Sequence, residues 1–336
     1  SLSSGAAAAG GREQQQQHVQ QRRDDGVIFT ESPYAPGQTV VYRAPAEKLA
    51  DPERLNLDRR GLAACPVLEG EERLRLLNYQ NNQIAQICNL HSLPNLIFLD
   101  LYNNQIARIT GLDPVPTLRV LMLGKNRLTK VENLEALPKL DVLDLHCNQI
   151  SEMEGLSHLA ELRVLNLAGN QISRLDTTKL RGMGALIELN LRRNLIASID
   201  GLQALPALQR LFLSNNMIAA FGALGALVHM SCLHELALDG NPISQESSFR
   251  VGVCELSRSL RQLDLKRVTE EERRASAQAL KREGERAQAQ ARRSQLAEAR
   301  AATASTPAAR APSRCGRPSL CPSRGPPGAL QAPPAP

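Results

Sequence analysis

An acid beside an imidazole is the first place to look for chemistry in this chain. Asp144 and His146 flank Leu145, so on an extended segment, where side chains alternate, both point the same way. Such a pair could act as a general base and its orienting carboxylate, but the sequence places no nucleophile or oxyanion donor beside it. His229, Cys232 and His234 form the densest cluster of nitrogen and sulfur ligands. Zinc accepts these residue types, yet a closed site takes four of them and no further Cys or His lies close by. Gly124-Lys125, in the run LGKNR at 123–127, lacks the spaced glycines of a phosphate loop. The expectation is a chain that is not an enzyme and holds no metal or cofactor, with Asp144 and His146 serving to bind a partner.

What positions these two residues is a repeat. The stretch 140–159, LDVLDLHCNQISEMEGLSHL, follows the frame L-x-x-L-x-L-x-x-N-x-I. Its asparagine recurs at Asn82, Asn104, Asn126, Asn148 and Asn170 in steps of 22, then at Asn194, Asn216 and Asn241 after steps of 24, 22 and 25. This is the frame of a leucine-rich repeat. It predicts an α/β repeat fold, a solenoid with a parallel inner sheet, because one repeat cannot bury its leucines without neighbours. The alternation in Leu143-Asp144-Leu145 is that of a strand with one buried side. The asparagine amide both donates and accepts, so it suits the turn that leaves the strand, and stacked repeats align these residues as a ladder. Pro94, Pro116, Pro138 and Pro206 each precede a repeat's first leucine by two residues, where a residue with fixed φ and no N–H fits.

The variable positions of the strand set the inner face. Position three reads Leu76, Phe98, Val120, Val142, Val164, then Glu188, Arg210, Glu235. Position five reads Asn78, Asp100, Met122, Asp144, Asn166, Asn190, Phe212, Ala237, and position seven adds Gln80, Tyr102, Gly124, His146, Ala168, Arg192, Ser214, Asp239. Valine at position three simply favours a strand. Phe98, Tyr102 and Met122 together are not explained that way; aromatic and Met anchors beside polar rims are what interfaces use. Phe98, Tyr102, Val120, Met122, Val142, Asp144 and His146 are therefore the candidate partner-binding residues, with Asp144 and His146, and Asp100 beside them, as a polar edge that fixes register.

Composition agrees with a solenoid core and locates the charge. Aromatic residues make up 3% and Trp is absent. The net charge is +6, but residues 1–270 carry 28 Lys/Arg against 29 Asp/Glu, while residues 271–336 carry 12 against 5. Basicity thus belongs to the tail, and a nucleic-acid groove on the repeats is not expected. Seven cysteines, scattered and without a C-x-x-C pair, point to free thiols in a reducing compartment. Residues 1–12 lack an apolar core of signal-peptide length and no apolar run of 18 residues occurs, so no membrane partner is expected.

The expected segments are a disordered 1–26; an extension at 27–53 with short β-prone pieces; a degenerate capping repeat at 54–73, with Arg60 at the ladder position; eight repeats at 74–250; a C-terminal cap at 251–269; a helix at 270–302; and a disordered 303–336. The frame thins after Asn241 until Arg267-Val268 stands where a ladder residue would be. The helix opens on Thr269 with Glu272 three residues on, the pattern of a capping box. It reads as exposed and single, since only Leu280 and Leu296 exceed alanine among its apolar residues and a coiled-coil seam needs a sustained stripe.

The 22-residue period and the ending LRQLDLKRVTEEERR resemble the intracellular group of leucine-rich repeats that includes the nuclear regulatory subunit of protein phosphatase 1 and axonemal repeat proteins. The run RLNLDRRGLAACPVLEGEERLRLLNYQNNQI, then LDLYNNQI, VLMLGKNR, LDVLDLHCNQI, ELRVLNLAGNQIS, LDGNPISQES and LKRVTEEERR, is similar to the leucine-rich-repeat subunit of the tubulin polyglutamylase complex. The likeness covers residues 54–275; the non-consensus ACPVLEGEE and DGNPISQES are its specific parts, and the terminal segments share nothing with that family. It implies a non-catalytic scaffold whose partners are a separate glutamate-ligase chain, other complex subunits and tubulin. It also implies a cytoplasmic, cytoskeletal location at microtubules, centrosome or cilium. The alternative is a regulatory repeat subunit of protein phosphatase 1 or an axonemal structural protein.

Overall fold

The computed structural model describes residues 26–33 and 35–304; the disorder expected for 1–26 and 303–336 falls almost wholly outside them. The chain divides into two units, 1–280 and 281–336, and the solenoid lies in the first. Two β-strands, β1 (Val27–Glu31) and β2 (Thr39–Arg43), come before a short helix α1 (Pro45–Ala50). Then follow β3 (Arg54–Asn56), β4 (Val67–Leu68), β5 (Leu76–Asn78), β6 (Phe98–Asp100), β7 (Val120–Met122), β8 (Val142–Asp144) and β9 (Val164–Asn166). The series continues through β10 (Glu188–Asn190), β11 (Arg210–Phe212), β12 (Glu235–Ala237), β13 (Gln262–Leu263) and β14 (Lys266–Arg267). Strands β3 and β5–β14 form one sheet in spatial sequence order, parallel except for the last pair. Each repeat strand is three residues long, because only the x-L-x between two leucine positions is free of the turn.

Register follows the repeat without slippage: Leu77, Leu99, Leu121, Leu143, Leu165, Leu189 and Leu211 are successive partners. These leucines, together with those at positions one and six and the following isoleucines, are fully buried in a single continuous core. The outer arc absorbs the two long steps. The first becomes a helical turn, α2 (Thr177–Leu180), capped by the Asp176 carboxylate accepting from the Thr178 N–H at 2.8 Å. The second becomes a 3₁₀ helix over Phe221–His229.

The ladder works between repeats as well as within them. Asn148 Nδ2 donates to Leu145 O (2.9 Å) in its own turn and to Leu123 O (3.0 Å) one repeat back, while its Oδ1 accepts from Leu128 N–H at 3.0 Å. All eight asparagines are buried, and the same three bonds recur at Asn104, Asn126, Asn170, Asn194, Asn216 and Asn241. Asn82 closes the series by accepting from the backbone of Arg60 and Leu62. Arg60 therefore needs no amide side chain; it is the last residue served. A second column went unread in the sequence. Asn89, Gly111, Asn133 and Gly155 all have positive φ, between 58° and 71°. A Cβ branch at Gly111 or Gly155 would strike the carbonyl of Ile87 or Val131 in the preceding repeat. At Asn89 and Asn133 the amide instead donates to the preceding repeat, to Cys65 O and Ile109 O.

Both ends are closed by elements the repeat pattern does not encode. At the start, β1 and β2 pair as a hairpin and β2 pairs in parallel with β4, so the extension and the CPVLEG run make one small sheet. It is tied down by a buried ion pair: Arg43 meets Glu71 through two bonds of 2.9 and 2.5 Å and also donates to Arg54 O at 2.8 Å. The side chains of Arg43 and Glu71 are only 4% and 1% exposed. At the far end, where the frame thins to Arg267-Val268, the chain reverses. Asp264 and Leu265 both have positive φ (51° and 63°), which makes a two-residue hairpin turn. Strand β14 folds back antiparallel on β13, blunting the sheet edge. The Asp264 carboxylate takes the place of the next strand's backbone carbonyl by accepting from Leu238 N–H at 2.6 Å and from Asp239 N–H at 3.0 Å. A further helix, α3 (Phe249–Leu256), covers the core behind it with Phe249, Val253 and Cys254. Helix α4 (Glu270–Ala304) then begins with the expected box, Thr269 N–H donating to Glu272 at 2.8 Å and Glu272 N–H to Thr269 Oγ1 at 3.2 Å.

Two stability changes follow. Asn148→Ala strips partners from buried groups in two repeats and should cost ~1–3 kcal/mol in urea unfolding; an unchanged midpoint would remove the ladder from the stability of the fold. Glu71→Ala strands a buried guanidinium and should cost ~3–5 kcal/mol. Replacing Arg43 and Glu71 together with apolar residues should recover much of that loss.

Candidate functional site

The inner face is where side chains of successive strands meet. Phe98, Val120, Val142 and Val164 are direct register partners on β6–β9, and strands of a sheet lie ~4.8 Å apart. They form one apolar row, continued by Leu76 on β5. Each is half-buried and not fully exposed, because each covers its neighbours' flanks. Met122, half-buried as well, sits between Asp100 and Asp144 in the parallel row.

Position seven brings the aromatic groups together. Tyr102 and His146 belong to repeats two apart, a strand spacing of ~9.6 Å, yet their ring centroids are 5.5 Å apart. Gly124 lies between them, and a Cβ on it would strike the His146 ring. The missing side chain thus lets the imidazole lean across one repeat toward Tyr102. Lys125 adds its ammonium 5.1 Å from the Tyr102 ring centroid, within cation–π range. The candidate residues Phe98, Tyr102, Val120, Met122, Val142 and His146 therefore occupy one contiguous area.

Asp144 takes a different part from the one expected of it. It is buried, and its Oδ1 accepts from His146 N–H at 3.0 Å and contacts His146 Nδ1 at 2.7 Å. It presents the imidazole and keeps its own carboxylate inside. The reason is general to position five. Asn56, Asn78, Asp100, Asn166 and Asn190 each accept from the backbone N–H two residues on, an Asx-type bond that turns the chain out of the strand. Asp100 is likewise buried, and its second oxygen meets the Gln80 amide. Burial outweighs that hydrogen bond and pushes the Asp100 carboxyl above its ordinary range.

The later repeats satisfy themselves. Arg210 pairs with Glu188 at 2.5 Å, Ser214 Oγ donates to Asp239 at 2.5 Å, and the Arg192 guanidinium lies 4.4 Å from the Phe212 ring centroid. The His146 ring meets an aromatic face and a carboxylate. Among the described residues no group of three His, Cys, Asp or Glu is placed to hold a metal ion. A thiol pair escaped the sequence reading. Cys65 of the cap and Cys88 of the next turn share a side-chain hydrogen bond, which lowers the Cys88 thiol to about 6 and, with burial, raises Cys65. The only signal was their 23-residue spacing, close to the repeat. They lie among cap residues, away from the inner row.

Comparison with known proteins follows the same lines. Two family models described as leucine-rich repeat match residues 116–172 and 165–293. "Leucine-rich repeat-containing protein 49" of Mus musculus is 45% identical over 63 residues, 19% of this chain and 9% of that protein. Its Homo sapiens counterpart is 47% identical over 58 residues, 17% of this chain and 8% of that protein. The chain thus spans less than a tenth of the curated relatives it matches. Among solved structures, an internalin C2 from Listeria monocytogenes superposes with a TM-score of 0.51 at 29% identity, covering 59% of this chain and 83% of that one. A repeat protein of Leptospira interrogans gives 0.50 at 24% identity, covering 64% of this chain and 60% of that one, which speaks to fold alone.

One prediction comes from Asp100. Its raised pKa means the folded state favours the neutral acid, so wild-type stability falls as pH rises from the ordinary carboxylate value through the raised one. Asparagine fills this position in the two preceding turns, at Asn56 and Asn78. Asp100→Asn should be as stable as wild type or more so at pH 7 in urea unfolding, the two converging near pH ~4. A variant clearly less stable at pH 7 would show that the charge itself is needed. With register, ladder, family models and solved solenoids in agreement, the chain is one that carries a leucine-rich-repeat solenoid.

Proposed function

We propose that this solenoid is a non-catalytic protein-binding scaffold whose inner face, in its first repeats, docks a partner. The observation that carries the reading is the contiguous row Phe98–Val120–Val142–Val164 with Tyr102, Met122 and His146 alongside. A half-buried apolar row rimmed by oriented polar groups is how interface cores are built. The paired charges of later repeats have no such surplus to offer. Leucine-rich-repeat folds commonly serve as interaction platforms, with the variable strand positions as the contact surface.

The finer proposal is a subunit of a tubulin polyglutamylase complex at microtubules, centrosome or cilium, with the glutamate ligase on a separate chain. It is supported by the sequence likeness over residues 54–275 and by the short stretch of similarity to leucine-rich repeat-containing protein 49. Among the described residues no helix is long and apolar enough to cross a membrane.

Truncating a true anchor costs binding ~2 kcal/mol or more, whereas a cross-strand contact on the sheet surface is worth up to ~1 kcal/mol to folding. Phe98→Ala with Tyr102→Ala should therefore abolish co-purification with the ligase chain and other complex subunits while shifting the melting temperature little. Binding assays with purified ligase chain, tubulin and the phosphatase 1 catalytic subunit decide between the readings. Assembly that survives the double substitution would move docking off the inner face, and selective capture of the phosphatase would replace the polyglutamylase reading.

A further inference from the structure

The near-neutral charge of residues 1–270 hides an uneven distribution. Arg73, Arg75, Arg119 and Lys139, with Asn95, Ile97, Thr117 and Glu53, line an open groove of about 460 Å³ beside the start of the strands. All four cations are exposed, and Arg73, Arg119 and Lys139 have no carboxylate within ion-pair distance among the described residues. Arg75 reaches Glu53 at 3.5 Å, with both side chains about half exposed. Such a pair contributes little and yields readily to a better-placed carboxylate. Asp141, two residues from Lys139, is engaged by Arg163 at 3.8 Å.

The groove floor is fixed and its cations are spaced. Thr117 Oγ1 donates to Pro94 O (3.0 Å) and Leu96 O (2.8 Å), and Asn95 Nδ2 donates to Glu72 O (2.9 Å), so the neutral side chains are committed to the backbone. Arg75, Ile97 and Arg119 extend the sheet ladder by one step, Ile97 N–H donating to Arg75 O and Arg119 N–H to Ile97 O, each at 2.8 Å. Arg75 and Arg119 thus flank a half-buried isoleucine two repeats apart, a distance of ~9.6 Å, with Arg73 beside the first and Lys139, which opens the next repeat, beside the second. In a polyproline II segment, residues three apart lie on one face at ~9.3 Å. The match is between the spacing of the repeats and that of an extended peptide.

We propose that this groove binds an acidic peptide in extended, polyproline II form, with carboxylates three residues apart seated on Arg73/Arg75 and on Arg119/Lys139. Guanidinium groups meet carboxylates through charge-assisted, bidentate bonds, and Ile97 contacts the residues between. A single-stranded nucleic acid fits less well, because the lining offers no aromatic side chain for base stacking. The proposal stands apart from inner-face docking, which uses different residues of the same repeats.

Fluorescence anisotropy on the full chain tests it, using two labelled peptides of one composition: proline-rich, with two glutamates either three apart or adjacent. The spaced peptide should bind more tightly, weaken with added salt, and lose about tenfold or more in affinity on Arg75→Gln with Arg119→Gln, as loss of charged hydrogen bonds implies. Arg73→Gln with Lys139→Gln should act in the same direction. Arg108→Gln, outside the lining, should leave binding unchanged, as should Phe98→Ala with Tyr102→Ala, so failure here and failure of the inner-face reading remain distinct. Equal affinity for both peptides, indifference to both double substitutions, or preferential binding of a single-stranded oligonucleotide through the same arginines would overturn the proposal.

Discussion

The fold depends on the backbone amides and carbonyls of each turn finding partners in the next. A three-residue strand followed by a tight turn leaves several such groups without an intrinsic partner, and burying them unpaired is costly. The asparagine amide is the device that removes the problem, serving two repeats at once and so making each turn's stability a property of its neighbour. The Asn/Gly column at 89, 111, 133 and 155 solves the same difficulty on the other side of the turn. There the chain needs positive φ and a close approach to the preceding carbonyl, and either no side chain or an amide that donates to that carbonyl will do. Position five is a third instance, an Asx-type acceptor for the N–H two residues on.

This dependence explains why so much of the solenoid could be read from sequence and why the ends could not. Leu143, Asn148 and their equivalents answer local needs repeated in every turn, so their spacing encodes register directly. A terminal turn has no neighbour to serve it, and each end solves that by its own means. At the start, a buried Arg43–Glu71 pair and a hairpin from 27 residues upstream of β3 cover the first turn. At the far end, the Asp264 carboxylate substitutes for the missing strand's carbonyl and the chain reverses. Neither arrangement has a period, and neither ion-pair partner announces the other across a separation of 28 positions.

The inner face was legible in outline for the same reason. Alternation along x-L-x told which side chains share a surface, and the strands bear that out for Phe98, Val120 and Val142. What sequence could not show was the use to which each polar group is put. Asp144 and Asp100 looked like an exposed rim because acids usually are exposed; both are instead turned inward by the backbone donor two residues on. Nor could it show that the glycine at 124 is an opening through which His146 reaches Tyr102, since that depends on three repeats at once. Partial exposure of the anchors has the same origin, each side chain being shielded by neighbours 22 residues away.

Charge shows most clearly how repeats separate structure from function. The core columns are fixed by the ladder, whereas the residues on either side of each repeat's first leucine differ in charge from repeat to repeat. Summed over residues 1–270 the charges nearly cancel, which made the repeats look electrostatically inert. Summed along one edge they do not: cations collect at Arg73, Arg75, Arg119 and Lys139, while on the inner face of the later repeats opposite charges close on one another at Arg210 and Glu188. Net charge is a property of composition, whereas a binding surface is a property of columns. Because columns are spaced by the sheet, any charge pattern written into them is automatically written in multiples of the strand spacing. A partner that keeps a matching period along its own backbone can then engage several repeats at once without any repeat changing its fold.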